Sequence, residues 1–229
     1  MPDPLPDATL VGDLLARDRR DRTTALHVAA SDRTLSYRDL CTTAYKAGNV
    51  LSHHGVRAGD VVDVEPRPAP EPVLTFLGAT LLGAVTAFRA DPGADDVTDA
   101  RAVVVHAERE DEFDLPPGAR LLAFGGEPDR PTTTHWEGEV WSENPAFPPT
   151  DHDPDDPVLA VGDGGYSHAR LLRGANGLRA DRVAGRDRPI RDPLSDPGAV
   201  VALLAALLDG RAANLAGRSV DPATERDGG

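Results

Sequence analysis

From residue 24 to residue 124 the hydrophobic pattern switches repeatedly between a period of two and a period of about 3.6 residues. A chain patterned this way has few ways to bury itself. Residues 24–29 alternate and are rich in β-formers, Ser31, Asp32 and Arg33 form a turn, and Thr34 and Leu35 complete a predicted hairpin. Ser36 with Asp39 three positions on is a capping-box pattern. The helix it opens carries Tyr37, Leu40, Ala44, Ala47 and Leu51 at spacings of three and four, and Gly55 and Gly59 stop it before a strand over 61–65. Residues 68–72 open a second helix with Val73, Phe76, Leu77, Thr80 and Leu81 on one face and Gly83 near its end. Short apolar strands are predicted over 85–88, 102–105 and 121–124, and upstream Val11, Leu14 and Leu15 share one helical face within 8–17. Strands in alternation with helices predict an α/β fold, a parallel or mixed sheet flanked by helices.

The pattern divides the chain into a first α/β lobe over 1–124, an acidic, Pro-rich loop or linker over 125–156, a second α/β segment over 157–217 and a flexible tail over 218–229. Trp136 and Trp141 stand in the linker as isolated anchors. In the second segment Val200, Leu203, Leu204, Leu207 and Leu208 make a strongly apolar helix, stopped by Gly210 and followed by a strand over 212–215. That helix is too short to span a membrane. It reads as core, or as core with one face left for a partner.

Thirty-eight acidic residues against 24 basic ones leave a net charge of −14, spread along the whole chain, and Lys46 is the only lysine. Such a surface repels nucleic acid and anionic membranes, so no partner of either kind is expected. An Asp-rich, lysine-poor folded chain suits a halophilic, high-salt cytoplasm, where screening relieves self-repulsion. Residues 1–6 have neither a basic nor an apolar signal region, so a cytoplasmic protein is expected. Cys41 is alone, which leaves no disulfide partner and no cysteine metal site; it reads as a small buried helix residue.

The stretch over 158–172 reads as a short buried strand, a glycine turn at Gly162-Asp163-Gly164-Gly165 and a helix start at Tyr166-Ser167-His168. Helix-start N–H groups aimed at a glycine turn can hold phosphate, which makes Gly162, Gly164, Gly165, Ser167 and His168 candidate nucleotide-binding residues. The turn is either a compact anion nest or a tight strand-to-helix connection. Ser167 and His168 do not make a nucleophile and base, because adjacent helix residues point about 100° apart. The oxygen-rich run over 151–156 lacks the spacing of a calcium loop and reads as solvated linker, and His53 and His54 suit the helix end they sit on. No metal site and no catalytic residue are assigned.

Leu35-Ser36-Tyr37-Arg38-Asp39-Leu40, then 55–62, then 71–79 and Leu82-Gly83-Ala84-Val85, resemble in order and spacing the entry segment of AMP-forming acyl-CoA synthetases, members of the adenylate-forming (AMP-binding) superfamily. The run over 153–157 before a hydrophobic strand also looks like that family's approach to its phosphate loop. There the chain departs. The family continues with a Ser/Thr/Gly-rich loop ending in Pro-Lys-Gly that holds ATP phosphates. Here four residues lead directly into a segment resembling the helix after that loop, with Ser167-His168 in place of its Thr-His pair. No lysine is nearby, and Asp163 puts the wrong sign of charge where phosphate would sit. Asp192-Pro193-Leu194-Ser195-Asp196 resembles the family's Pro-Leu-aromatic-His segment with Asp196 in the histidine's place, and the later ribose, adenine and C-terminal-lysine motifs have no counterpart in the sequence.

The resemblance implies the N-terminal part of a synthetase large domain. Three functions are compatible with it. The first is a degenerate, non-catalytic homologue, a pseudoenzyme acting as a binding or regulatory module, with no cofactor, beside a full-length synthetase. The second is an AMP-dependent ligase, alone or as part of a split enzyme, which would use ATP, Mg and CoA. The third is an interaction protein paired with a second copy of itself.

Overall fold

The computed structural model describes residues 1–89, 99–146, 151–162, 164–180 and 189–217. Two sheets share one core. The larger has seven strands in the order β7-β6-β5-β3-β4-β8-β9 and the smaller has three, β10-β1-β2. β3 (Val61–Val64), β4 (Val85–Phe88), β5 (Ala100–His106), β6 (Arg120–Phe124), β7 (Thr134–His135) and β8 (Pro157–Val161) all run parallel to their neighbours. Only β9 (Gly164–Ser167) is antiparallel, against β8. Most residues of β3, β4 and β5 are buried, as a parallel sheet buried on both faces requires. The α/β expectation holds.

The hairpin of β1 (Thr24–Val28) and β2 (Arg33–Ser36) forms as read from the sequence and hands directly into α1 (Tyr37–His53). The Ser36 Oγ accepts the Asp39 N–H at 3.1 Å and donates to the Asp39 carboxylate at 2.7 Å. α2 (Pro70–Leu82) is buried nearly all round and ends at Gly83, whose φ of +71° closes the helix in the left-handed region. Its Glu71, buried in the first turn, is matched by Arg33 at 2.7 Å. α1 and α2 touch backbone to backbone. A Cβ on Gly78 would lie 2.6 Å from the Gly48 nitrogen and 2.9 Å from the Ala44 oxygen.

Three local expectations change. Residues 8–17 form two 3₁₀ turns, Val11–Leu15 and Arg17–Arg19, and not an α-helix, although Val11, Leu14 and Leu15 are buried as expected. The Asp13 carboxylate gathers the N–H groups of Thr9 and Leu10 into a tight local turn. Irregular chain was expected after residue 125, but β7 joins the sheet there and α3 (Trp136–Ser142) packs on α1. Trp136 is buried, with its indole N–H on Thr75 Oγ1 at 3.0 Å, whereas Trp141 is 85% exposed. The third change, at β9, bears on the candidate site.

α4 (His168–Ala180) and α5 (Pro197–Leu208) pack on each other, and β10 (Ala213–Leu215) joins β1 in parallel. Asp196 is the N-cap of α5, accepting the Gly198 N–H at 2.7 Å. α5 is buried along most of its length, with Val201 and Ala202 half-buried against the core. Among the described residues no helix is long and apolar enough to cross a membrane. Residues 181–188 and the tail from 218 onward lie outside the described residues.

The α1–α2 contact yields a test. Gly78→Ala must push the two helices apart, and overpacking of this kind costs about 2 kcal/mol. Chemical unfolding in multimolar KCl should show that loss, while Gly177→Ala, on an open face of α4 with nothing within 4 Å, should show no loss.

Candidate functional site

β8 lies beside β4 in the parallel sheet, with Leu159 opposite Thr86 and Ala160 opposite Ala87. The chain then reverses. Val161 pairs with Gly164, Ala160 with Gly165 and Leu159 with Tyr166, so the connection is two residues long. Gly162 takes a φ of +53°, as two-residue hairpins demand. Asp163, the anion expected to face a phosphate, lies outside the described residues. The predicted strand-to-helix turn is therefore a β-hairpin, and the helix starts one strand later. At about 3.3 Å per residue, the Gly162–Gly164 tip and the α4 N-terminus stand about 10 Å apart. Gly162 and Gly164 thus stand at the hairpin tip, Gly165 and Ser167 lie along β9, and His168 opens α4.

The first N–H groups of α4 are already bonded. His168 N–H donates to the Asp156 carbonyl at 3.3 Å and Ala169 N–H to the Pro154 carbonyl at 2.8 Å. Arg170 N–H donates to Ser167 Oγ at 3.2 Å. Three of the four orphan donors of a helix start are spent on the chain itself. The acidic run supplies this cap. Within it the Asp153 N–H donates to Asp156 and the Asp155 N–H to Asp153, so these carboxylates hold a turn. Among the described residues no group of three or more His, Cys, Asp or Glu is arranged to hold a metal ion. Arg170 arches back over β9, its guanidinium 4.0 Å from the Tyr166 ring centroid and its Nη1 on the Gly165 carbonyl at 3.1 Å.

His168 points the other way, into the core. It is fully buried, and its Nδ1 accepts the Val11 N–H at 3.1 Å, which fixes the neutral tautomer with the proton on Nε2. That Nε2 has no hydrogen-bond partner among the described residues. The His152 ring stacks on it at 6.3 Å and donates from Nε2 to the Leu81 carbonyl at 2.9 Å. Burial first, then the neighbouring His152, pushes the His168 pKa down to about 4. Ser167 and His168 face different partners, in keeping with the spacing argument. His53 meets Glu143 at 2.9 Å, and burial lowers the pKa of His54, so neither is drawn into a shared site.

Sequence reasoning missed an apolar cavity of about 370 Å³. It is lined by Pro66 and Pro68 after β3, by Ile190, Pro193 and Leu194, and by Leu215 of β10. Its walls come from segments far apart in sequence, and no periodicity announces it.

Comparison with solved structures places the architecture. Anthranilate CoA ligase, solved with anthranoyl-AMP, matches 90% of this chain and 44% of its own at a TM-score of 0.75 and 19% identity. The fold is that of the adenylate-forming ligases. The acyl-CoA synthetase of Brucella canis matches 95% of this chain and 44% of its own (TM-score 0.70, 21% identity), and coronafacic acid ligase from Pectobacterium brasiliense matches 93% and 46% (0.73, 14%). The chain thus spans less than half the length of these ligases. By sequence, acetyl-coenzyme A synthetase of Aeromonas hydrophila is 45% identical over 56 residues, and that of Vibrio vulnificus 41%, each stretch being 24% of this chain and 9% of the synthetase. No protein-family model matches.

The buried imidazole sets a pH dependence for this ligase-like fold. His168 has a folded pKa of about 4, below its unfolded value of 6.5. Its contribution is therefore fully present above pH 6.5 and is lost as pH falls through that window toward 4, by about 3 kcal/mol in all. His168→Asn can still accept the Val11 N–H but cannot be protonated. Its unfolding free energy should fall less steeply than the parent's across that window; parallel profiles would contradict the assignment.

Proposed function

We propose that this chain is an acyl-CoA synthetase-like module that binds or regulates and does not itself adenylate a substrate. One observation carries the reading. The place where the resemblance expects a phosphate loop is a two-residue hairpin, and the helix N–H groups behind it are bonded to Pro154, Asp156 and Ser167. To seat a triphosphate, the protein would have to break its own helix cap while supplying no hydroxyl-rich loop in return. The partner suited to such a module is a full-length synthetase or a second copy of this chain. Its dispersed acidity fits a salt-rich cytoplasm.

A second reading is a ligase that works only when assembled with further chain. The match to acetyl-coenzyme A synthetase and the apolar cavity beside Pro193 and Leu194 favour it. Calorimetry with ATP and magnesium in multimolar KCl separates the two, once circular dichroism shows a folded protein. The module reading predicts no heat and no thermal shift at millimolar ATP. Micromolar binding would overturn it.

A further inference from the structure

On the outer face of α1, Lys46, Asn49 and His53 follow at spacings of three and four, and each reaches the end of α3. Lys46 Nζ donates to the Trp141 carbonyl at 2.9 Å, and Asn49 Nδ2 to the carbonyls of Asn144 and Ala146 at 2.9 and 2.8 Å. His53 meets Glu143. This row holds α3 against α1 and so preforms a groove of about 350 Å³ bordered by α1, α2, α3 and β2, a volume in the range of small-ligand sites.

The charges around that groove are mostly committed. Arg33 is bonded to the buried Glu71, Asp39 belongs to the α1 cap, and Glu137 accepts the Gly125 N–H at 2.7 Å with one oxygen while the other lies 3.4 Å from His135 Nε2. Lys46 is different. Among the described residues it meets only a neutral carbonyl, which leaves two of its three protons without a partner there. One turn earlier on the same helix Thr42 and Thr43 line the groove, and their hydroxyls bond to no other group among the described residues. Leu35, Leu74 and Val140 supply apolar lining, and the exposed Trp141 stands at the rim.

We propose that this groove binds a small carboxylate with a flat apolar body. The carboxylate lies on Lys46 and the threonine hydroxyls, where charge-assisted hydrogen bonds are strongest, and the body lies on the leucine, valine and indole surface. The site does not involve the β8–β9 hairpin, so it stands or falls apart from the reading of ATP binding.

Benzoate is the probe, titrated against the full chain at fixed KCl and followed by tryptophan fluorescence. Saturable binding is expected, about tenfold weaker for neutral benzamide and for acetate, which lacks the ring. Lys46→Met should weaken benzoate by a similar factor. Thr43→Val, which leaves the Lys46–Trp141 contact in place, should weaken it as well. In Trp141→Phe the fluorescence change should shrink to what the buried Trp136, which also lines the groove, still reports. Absence of saturation, equal affinity for benzoate and benzamide, or unchanged affinity in both Lys46→Met and Thr43→Val would overturn the proposal.

Discussion

The backbone N–H of Val11 donates to the imidazole of His168 across 157 positions of sequence, at a point with no exposure to water. That bond binds the start of α4 to the first turn of the chain. His152, stacked on the same ring, extends the tie to the end of α2 by donating to the Leu81 carbonyl, and its ring lies so close to Gly83 that a Cβ there would sit 2.8 Å away. The strap requires a neutral His168, because a proton on its Nδ1 would remove the acceptor and place charge in the core. The hairpin, its acidic cap and α4 are therefore held as one unit against the first part of the fold.

Rigidity at that place has a chemical consequence. A helix start can hold an anion only while its N–H groups are free, and here the 151–156 turn has taken the first two and Ser167 the third. The two-residue connection leaves no slack from which a loop could reach back over α4. Likeness of fold to the adenylate-forming ligases does not decide this, since one fold can carry different sites. The fold therefore carries the relationship, while the occupied amides and the short turn carry the functional reading.

Much of this was legible in local sequence. The Ser36–Asp39 cap, the Gly83 stop, the β1–β2 hairpin and the buried strands follow from patterns spanning a few residues, where chemistry and geometry coincide. β9 was not legible, because Gly164-Gly165-Tyr166-Ser167 has little strand preference and becomes a strand by pairing with β8. Likewise α3 is seven residues long and is held by contacts with α1, which no short window contains. The separation of the glycine tip from the helix start, the partner of His168 and the Gly48–Gly78 contact are all products of tertiary packing. The candidate residues are thus neighbours in sequence that the fold spreads over a hairpin tip, a strand and a helix start.

The α4 amides are already in use. Amide hydrogen exchange read by NMR at Ala169 and Arg170, with and without ATP and magnesium, tests it at the atoms concerned. Protected amides are expected, with shifts and exchange rates that do not respond to the nucleotide. Unprotected amides, or shifts that move saturably as ATP is added, would contradict that expectation.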